Sequence, residues 1–146
     1  MFCDADDKFI NTLALSIIIN NCKEKADVYV YDFLAEYIKD NITLYKLYHD
    51  DSIFVHGKVY RSQYLIDNDI IWHKELHEHQ DSAYNVLVRL CSDKVAICPV
   101  TIYAWVHNPN SISRKDGVLH SPITWPHMID SYDCLVKDLQ DRAKSK

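Results

Sequence analysis

Glycine is nearly missing from this chain: Gly57 and Gly117 are the two among 146 residues. A backbone that wraps a phosphate needs several positions without a side chain, so P-loop and GxGxxG patterns are excluded. Long apolar runs are missing too. The longest, residues 13–19, falls well short of the ~18 residues that a membrane-spanning helix needs. Positive charge is not in excess: 16 Lys and Arg stand against 21 Asp and Glu, a net charge of −5 that offers nucleic acid little. There is no CxxC pair. The five cysteines Cys3, Cys22, Cys91, Cys98 and Cys134 fit no closed disulfide framework. They read as reduced thiols, and the N-terminus has no basic-then-apolar leader, so the chain is expected to be cytoplasmic.

What is present fits one domain over 1–146 with a real core: 48% of residues are hydrophobic and 25% charged. Phe2-Cys3 reads as the end of a strand that runs into an acidic loop. A helix is expected over 12–25, with apolar positions at Leu13, Ile17, Ile18 and Cys22. Val28 and Val30 alternate with Tyr29 and Tyr31 in a strand over 26–33. Residues 34–49 leave two options open, because Tyr37, Tyr45 and Tyr48 suit a strand face or a helix stripe. An extended run over 52–60 is broken at Gly57, and a short helix over 61–67 is ended by Asn68-Asp69. Ile70-Ile71-Trp72 reads as a short strand. A helix over 81–91 presents Tyr84, Leu87, Val88 and Cys91 on one face. Two strands, 95–98 and 101–106, are separated by Pro99, and a closing helix over 125–141 has Pro126 in its first turn. Alternating helices and strands predict an α/β domain with a mixed sheet flanked by helices.

Several constellations carry chemical potential. In Asp4-Ala5-Asp6-Asp7 at a strand end, side chains two apart point the same way, so Asp4 and Asp6 are the candidate ligands of one hard divalent cation. In Val55-His56-Gly57-Lys58-Val59-Tyr60-Arg61, Lys58 and Arg61 are candidates to hold a phosphate or a carboxylate. Asp81 stands where a polar loop meets a helix, a good place for a general base. His73, His77 and His79 lack an HExxH frame and read as solvated loop histidines rather than zinc ligands. The aromatic strand Tyr103-Ala104-Trp105 leads into a polar loop with His107, Ser111 and Arg114, which suits closure over a diphosphate.

Taken in order, the DxDD opening, "HGKVYRSQYLIDNDIIW", "HQDSAYNVLVRL" and "YAWVHNPNSISR" resemble the second half of a family 2 glycosyltransferase with the GT-A fold, from about Phe2 to Arg114. The resemblance implies an incomplete GT-A domain, Rossmann-like, lacking its N-terminal nucleotide-binding half. It implies metal-dependent transfer of a sugar from a nucleotide-diphosphate donor to a hydroxyl acceptor. By resemblance, Asp4 and Asp6 bind Mn²⁺ or Mg²⁺. Asp81 is the catalytic base. Lys58, Arg61, His107, Ser111 and Arg114 contact substrate. Gln80 stands where similar enzymes have Glu. The same reading expects a second chain or second copy to complete the sheet, and its rival is a non-catalytic structural or interaction protein derived from a glycosyltransferase fragment.

Overall fold

The computed structural model describes residues 1–22, 25–74, 76, 79–110 and 125–144. Its centre is β2 (Val28–Lys39), a 12-residue strand. Val28 and Val30 point to one face and Tyr29, Tyr31 and Phe33 to the other, and all are buried. That is the signature of a strand covered on both faces rather than one facing water. β2 pairs in parallel with β5 (Val95–Trp105) on one edge. On its other edge it pairs antiparallel with β4 (Lys58–Tyr60) and then with β3 (Ile42–Tyr48). The short β1 (Lys8–Phe9) lies antiparallel on the far side of β5, opposite Tyr103 and Ala104, and completes a five-stranded sheet.

The ambiguous segment is a hairpin. Lys39 pairs with Ile42, and the two residues between, Asp40 and Asn41, have φ of 52° and 60°. Positive φ at both central positions is what a tight hairpin turn with the sheet's twist requires, and Asp and Asn tolerate it best after glycine. The two strands expected around Pro99 are one strand. Its register with β2 shifts between Tyr31/Cys98 and Asp32/Thr101, so the proline sits in an irregularity where no ladder donor is needed. Ile70-Ile71-Trp72 forms no strand: Ile70 is buried and Trp72 turns into an aromatic cluster instead. Phe2 is not in a strand either. Its ring packs on Tyr60, Trp72 and Tyr84 at 5.2–5.8 Å between centroids.

Helices cover both faces. On one side α3 (Gln80–Leu90), α4 (Trp125–Lys144) and α2 (Ser62–Asp67) close over Val28 and Val30 through Tyr64, Tyr84, Leu87, Val88 and Leu135. Each of those fully buried aliphatic side chains contributes about 1.5–3 kcal/mol by leaving water. Arg142 ties α4 down, donating to the carbonyls of Asn68 and Asp69 just past α2. On the other side α1 (Ala14–Asn21) buries Ala14 and Ile18 against Tyr29, Tyr31, Ile102 and Tyr103. Helix α3 runs back from the carboxyl end of the parallel strands, where it begins, to Ser92, whose hydroxyl donates to Asp27 at the start of β2. Among the described residues no helix is long and apolar enough to cross a membrane.

Candidate functional site

In sheets with parallel strands, ligands collect beyond the carboxyl ends of the strands. Here that end is marked by Tyr103 and Trp105 of β5, and the acidic opening lies against it. Residues 4–7 are a turn, not an extended strand end: the Asp7 amide donates to the Asp4 carbonyl at 3.1 Å. The turn changes which carboxylates meet. In an extended chain positions two apart share a side, but a β-turn brings i and i+3 together. Asp4 and Asp7 therefore converge, while Asp6 faces outward and accepts a hydrogen bond from Asn108 Nδ2 at 2.7 Å. The expected ligand pair was Asp4 and Asp6; the turn sets Asp7 beside Asp4. Asp4, Asp7 and His56 each offer one ligand atom, and the three atoms lie within 4.8 Å of one another.

Long-range contacts hold this group. The Asp7 side chain is fully buried. One carboxylate oxygen accepts the Val106 amide at 2.8 Å, and the other accepts the Tyr103 hydroxyl. Tyr103 also takes the Asp4 amide at 3.3 Å, so a single phenol ties both ends of the turn to β5. Burial, together with its bond to Asp7, raises the Tyr103 phenol well above its ordinary pKa, so it stays a donor. His56 Nδ1 lies 3.9 Å from Asp7 Oδ2. Its ring stands among Phe33, Phe54, Tyr103 and Trp105, at 4.8–6.0 Å between centroids.

Burial holds the His56 imidazole below its ordinary pKa, while the charges of Asp4 and Asp81 act in the opposite direction. His56 is thus within electrostatic reach of both the acidic turn and the start of α3. Asp81 stands in the first turn of α3 and accepts the Ser82 amide at 2.8 Å. The helix begins one residue earlier than expected, at Gln80, and His79 caps it in a left-handed conformation, φ 55°.

The other expected contacts fall elsewhere. Lys58 is fully buried. Its ammonium pairs with Asp51 at 2.8 Å, donates to the His56 carbonyl at 3.3 Å and faces the Phe33 ring. A buried cation so paired contributes to the internal packing of the fold. Arg61 sits at the opposite pole of the sheet, bound to Asp27 through Nε at 3.1 Å and Nη2 at 2.5 Å. The two basic residues are separated because β4 runs between them antiparallel to β2, from Lys58 opposite Val30 to Tyr60 opposite Val28, and leaves Arg61 beyond the amino end of β2. His107 follows β5 directly, and its Nδ1 is buried with no hydrogen-bond partner among the described residues. Ser111 and Arg114 lie outside the described residues, as does His77. His73 is not a solvated loop residue: its Nε2 is buried, 3.6 Å from Asp138 of α4.

Asp7 and His56 are the residues to which the sequence reading gave no ligand role. The signal for Asp7 was the D-x-x-D spacing, which a turn brings together. The signal for His56 was its place just before Gly57, whose φ of +67° turns the chain back against Tyr31.

No protein-family model matches the sequence, and no curated protein does. Two solved structures resemble the fold. Against the crystal structure of S. aureus TarS 1-349, the TM-score is 0.56 at 15% identity, over 99% of this chain and 57% of that one. Against the crystal structure of S. aureus TarS 1-349 in complex with UDP, it is 0.53 at 17% identity, over 75% of this chain and 36% of that one. The chain therefore spans between about a third and just over half of the chains it resembles. At these identities the likeness concerns the fold alone: a mixed α/β sheet flanked by helices.

Proposed function

We propose that this chain is the cation- and acceptor-binding portion of a sugar transferase that uses a nucleotide-diphosphate donor, Mn²⁺ or Mg²⁺, and a hydroxyl acceptor. The observation that carries this reading is the convergence of Asp4, Asp7 and His56 at the same pole as Asp81, in a fold similar to a chain crystallised with UDP. Two carboxylates and an imidazole suit a borderline-hard dication, and the nitrogen donor favours Mn²⁺ over Mg²⁺. The hydrogen bonds from Tyr103 and the Val106 amide fix the Asp7 carboxylate, as outer partners of a metal ligand do. A dication bound there would offset the charge that grows on a departing diphosphate.

The protein's own part in the chemistry falls to Asp81. The Ser82 amide in the first turn of α3 donates to its carboxylate and fixes its position. An ionised carboxylate there can take the proton of an attacking hydroxyl. The half-buried Phe2 and Trp72 lie beside this turn, Trp72 stacked on the buried Tyr84 at 4.5 Å, and their exposed parts offer an apolar edge to a sugar ring. His107, Ser111 and Arg114 remain the candidates for donor contacts from the loop after β5. The five free cysteines support a reducing compartment, the cytoplasm.

Calorimetric titration tests this reading. Mn²⁺ should bind, and UDP should bind in its presence. Asp4→Asn, an exposed change, should weaken Mn²⁺ about tenfold or more, and Asp6→Asn less than about twofold. Asp81→Asn should leave Mn²⁺ binding intact and abolish transfer in any active assembly. Absence of heat from Mn²⁺ and UDP alike would favour the non-catalytic reading instead. Dependence on Asp6 rather than Asp4 would remove the turn geometry from the argument.

A further inference from the structure

A hollow lies at the other pole of the sheet, where β2 and β5 begin. It has a volume of about 480 Å³, and Lys25, Asp27, Tyr29, Tyr60, Arg61 and Lys94 are among the residues that line it. That size falls within the range of small-molecule sites. Six residues separate Asp27 from Phe33, beside which His56 stacks, so at ~3.3 Å per residue the two sites are about 20 Å apart.

The charges in this hollow run against the chain's overall balance. Three cationic side chains face one carboxylate, in a protein of net charge −5. Asp27 is already engaged: it receives Arg61 through Nε and Nη2, and Ser92 Oγ at 3.2 Å. The main chain sets the frame, with the Asp27 amide on the Lys94 carbonyl at 2.8 Å and the Arg61 amide on the Asp27 carbonyl at 2.9 Å. Asp27 therefore holds the guanidinium in place, and its Nη1 has no hydrogen-bond partner among the described residues. The ammonium groups of Lys25 and Lys94 have no ion-pair partner among the described residues. The floor is apolar, built by Tyr29 and Val59 paired across β2 and β4, and the Tyr29 hydroxyl accepts the Ala26 amide at 3.1 Å.

We propose that this hollow is a binding site for a phosphate monoester with a planar or apolar body. Three cations around one rim match the spread of charge on a phosphate, and a guanidinium fixed by a carboxylate offers it directed donors. Tyr29 and Val59, which share one face of the β2–β4 ladder, give the organic part an apolar surface that a bare inorganic ion cannot use. The site stands apart from the acidic turn and does not depend on the transferase reading.

Titration with phenyl phosphate, inorganic phosphate and phenol tests it. Phenyl phosphate should bind the full chain at millimolar concentration or better, and more tightly than either of the other two. Lys94→Glu reverses an exposed charge at the rim and should weaken phenyl phosphate by about tenfold. Lys74→Glu makes the same change in net charge away from the hollow and should weaken it by less than about twofold. No binding of phenyl phosphate, or equal losses in the two variants, would overturn the site. Inorganic phosphate binding as tightly as phenyl phosphate would overturn the assignment of an organic body.

Discussion

Gly57 joins the fold to the candidate site, and replacing it tests both. Its φ is +67°, and a Cβ placed there would stand 2.7 Å from the Tyr31 carbonyl oxygen, a backbone atom that has no freedom to turn aside. Its own carbonyl accepts the Tyr31 amide at 2.9 Å. Gly57→Ala therefore combines two costs. Holding alanine in the left-handed region costs about 1–2 kcal/mol. Relieving the clash pulls the loop off β2 and weakens a buried backbone hydrogen bond, about 1 kcal/mol more. The sum is about 2–3 kcal/mol, and it falls on the residue next to His56. In urea unfolding the midpoint should drop by about 1–2 M with an unchanged slope. Gly57→Asn separates the two costs: asparagine tolerates the dihedral but keeps the Cβ, so it should recover part of the loss and not all of it. An alanine variant within about 0.5 kcal/mol of the parent, or full recovery by asparagine, would refute the reasoning.

Lys58→Met should destabilise the fold by about 3–5 kcal/mol, because it strands the largely buried Asp51 carboxylate, and Lys58→Met with Asp51→Leu should recover much of that; an unaffected single variant in thermal unfolding would mean the ammonium reaches water. His56 gives a pH dependence. Its folded pKa lies below its ordinary value because of burial, so the unfolded chain binds more protons as pH falls through about 6.5 toward the folded value. The metal-free protein should lose stability across that window, and His56→Phe should flatten this part of the curve; a parent whose stability is level over the same range would contradict the burial of the imidazole.

Much of the fold was legible in local pattern. The apolar spacing of Tyr84, Leu87 and Val88 fixed the face that α3 buries, and Asn68-Asp69 marked the end of α2, because helix periodicity and chain breaks are properties of neighbouring residues. The alternation of Val and Tyr at 28–31 showed a strand. It did not show that both faces are covered, which depends on the neighbouring α1 packing on one face and α3, from far along the chain, on the other. The turn at Asp40-Asn41 was also within reach, since two residues tolerant of positive φ stand between two alternating runs.

The site was harder. By itself the sequence determined which acidic and basic side chains are present, and in what order. Only the tertiary structure decided that Asp7 turns in beside Asp4, that Lys58 pairs with Asp51, and that Arg61 joins Asp27 at the far pole. The reason is physical: these outcomes rest on a turn of four residues held by Tyr103, 96 positions from Asp7, and on the direction in which β4 crosses the sheet. Neither leaves a periodic trace in the chain.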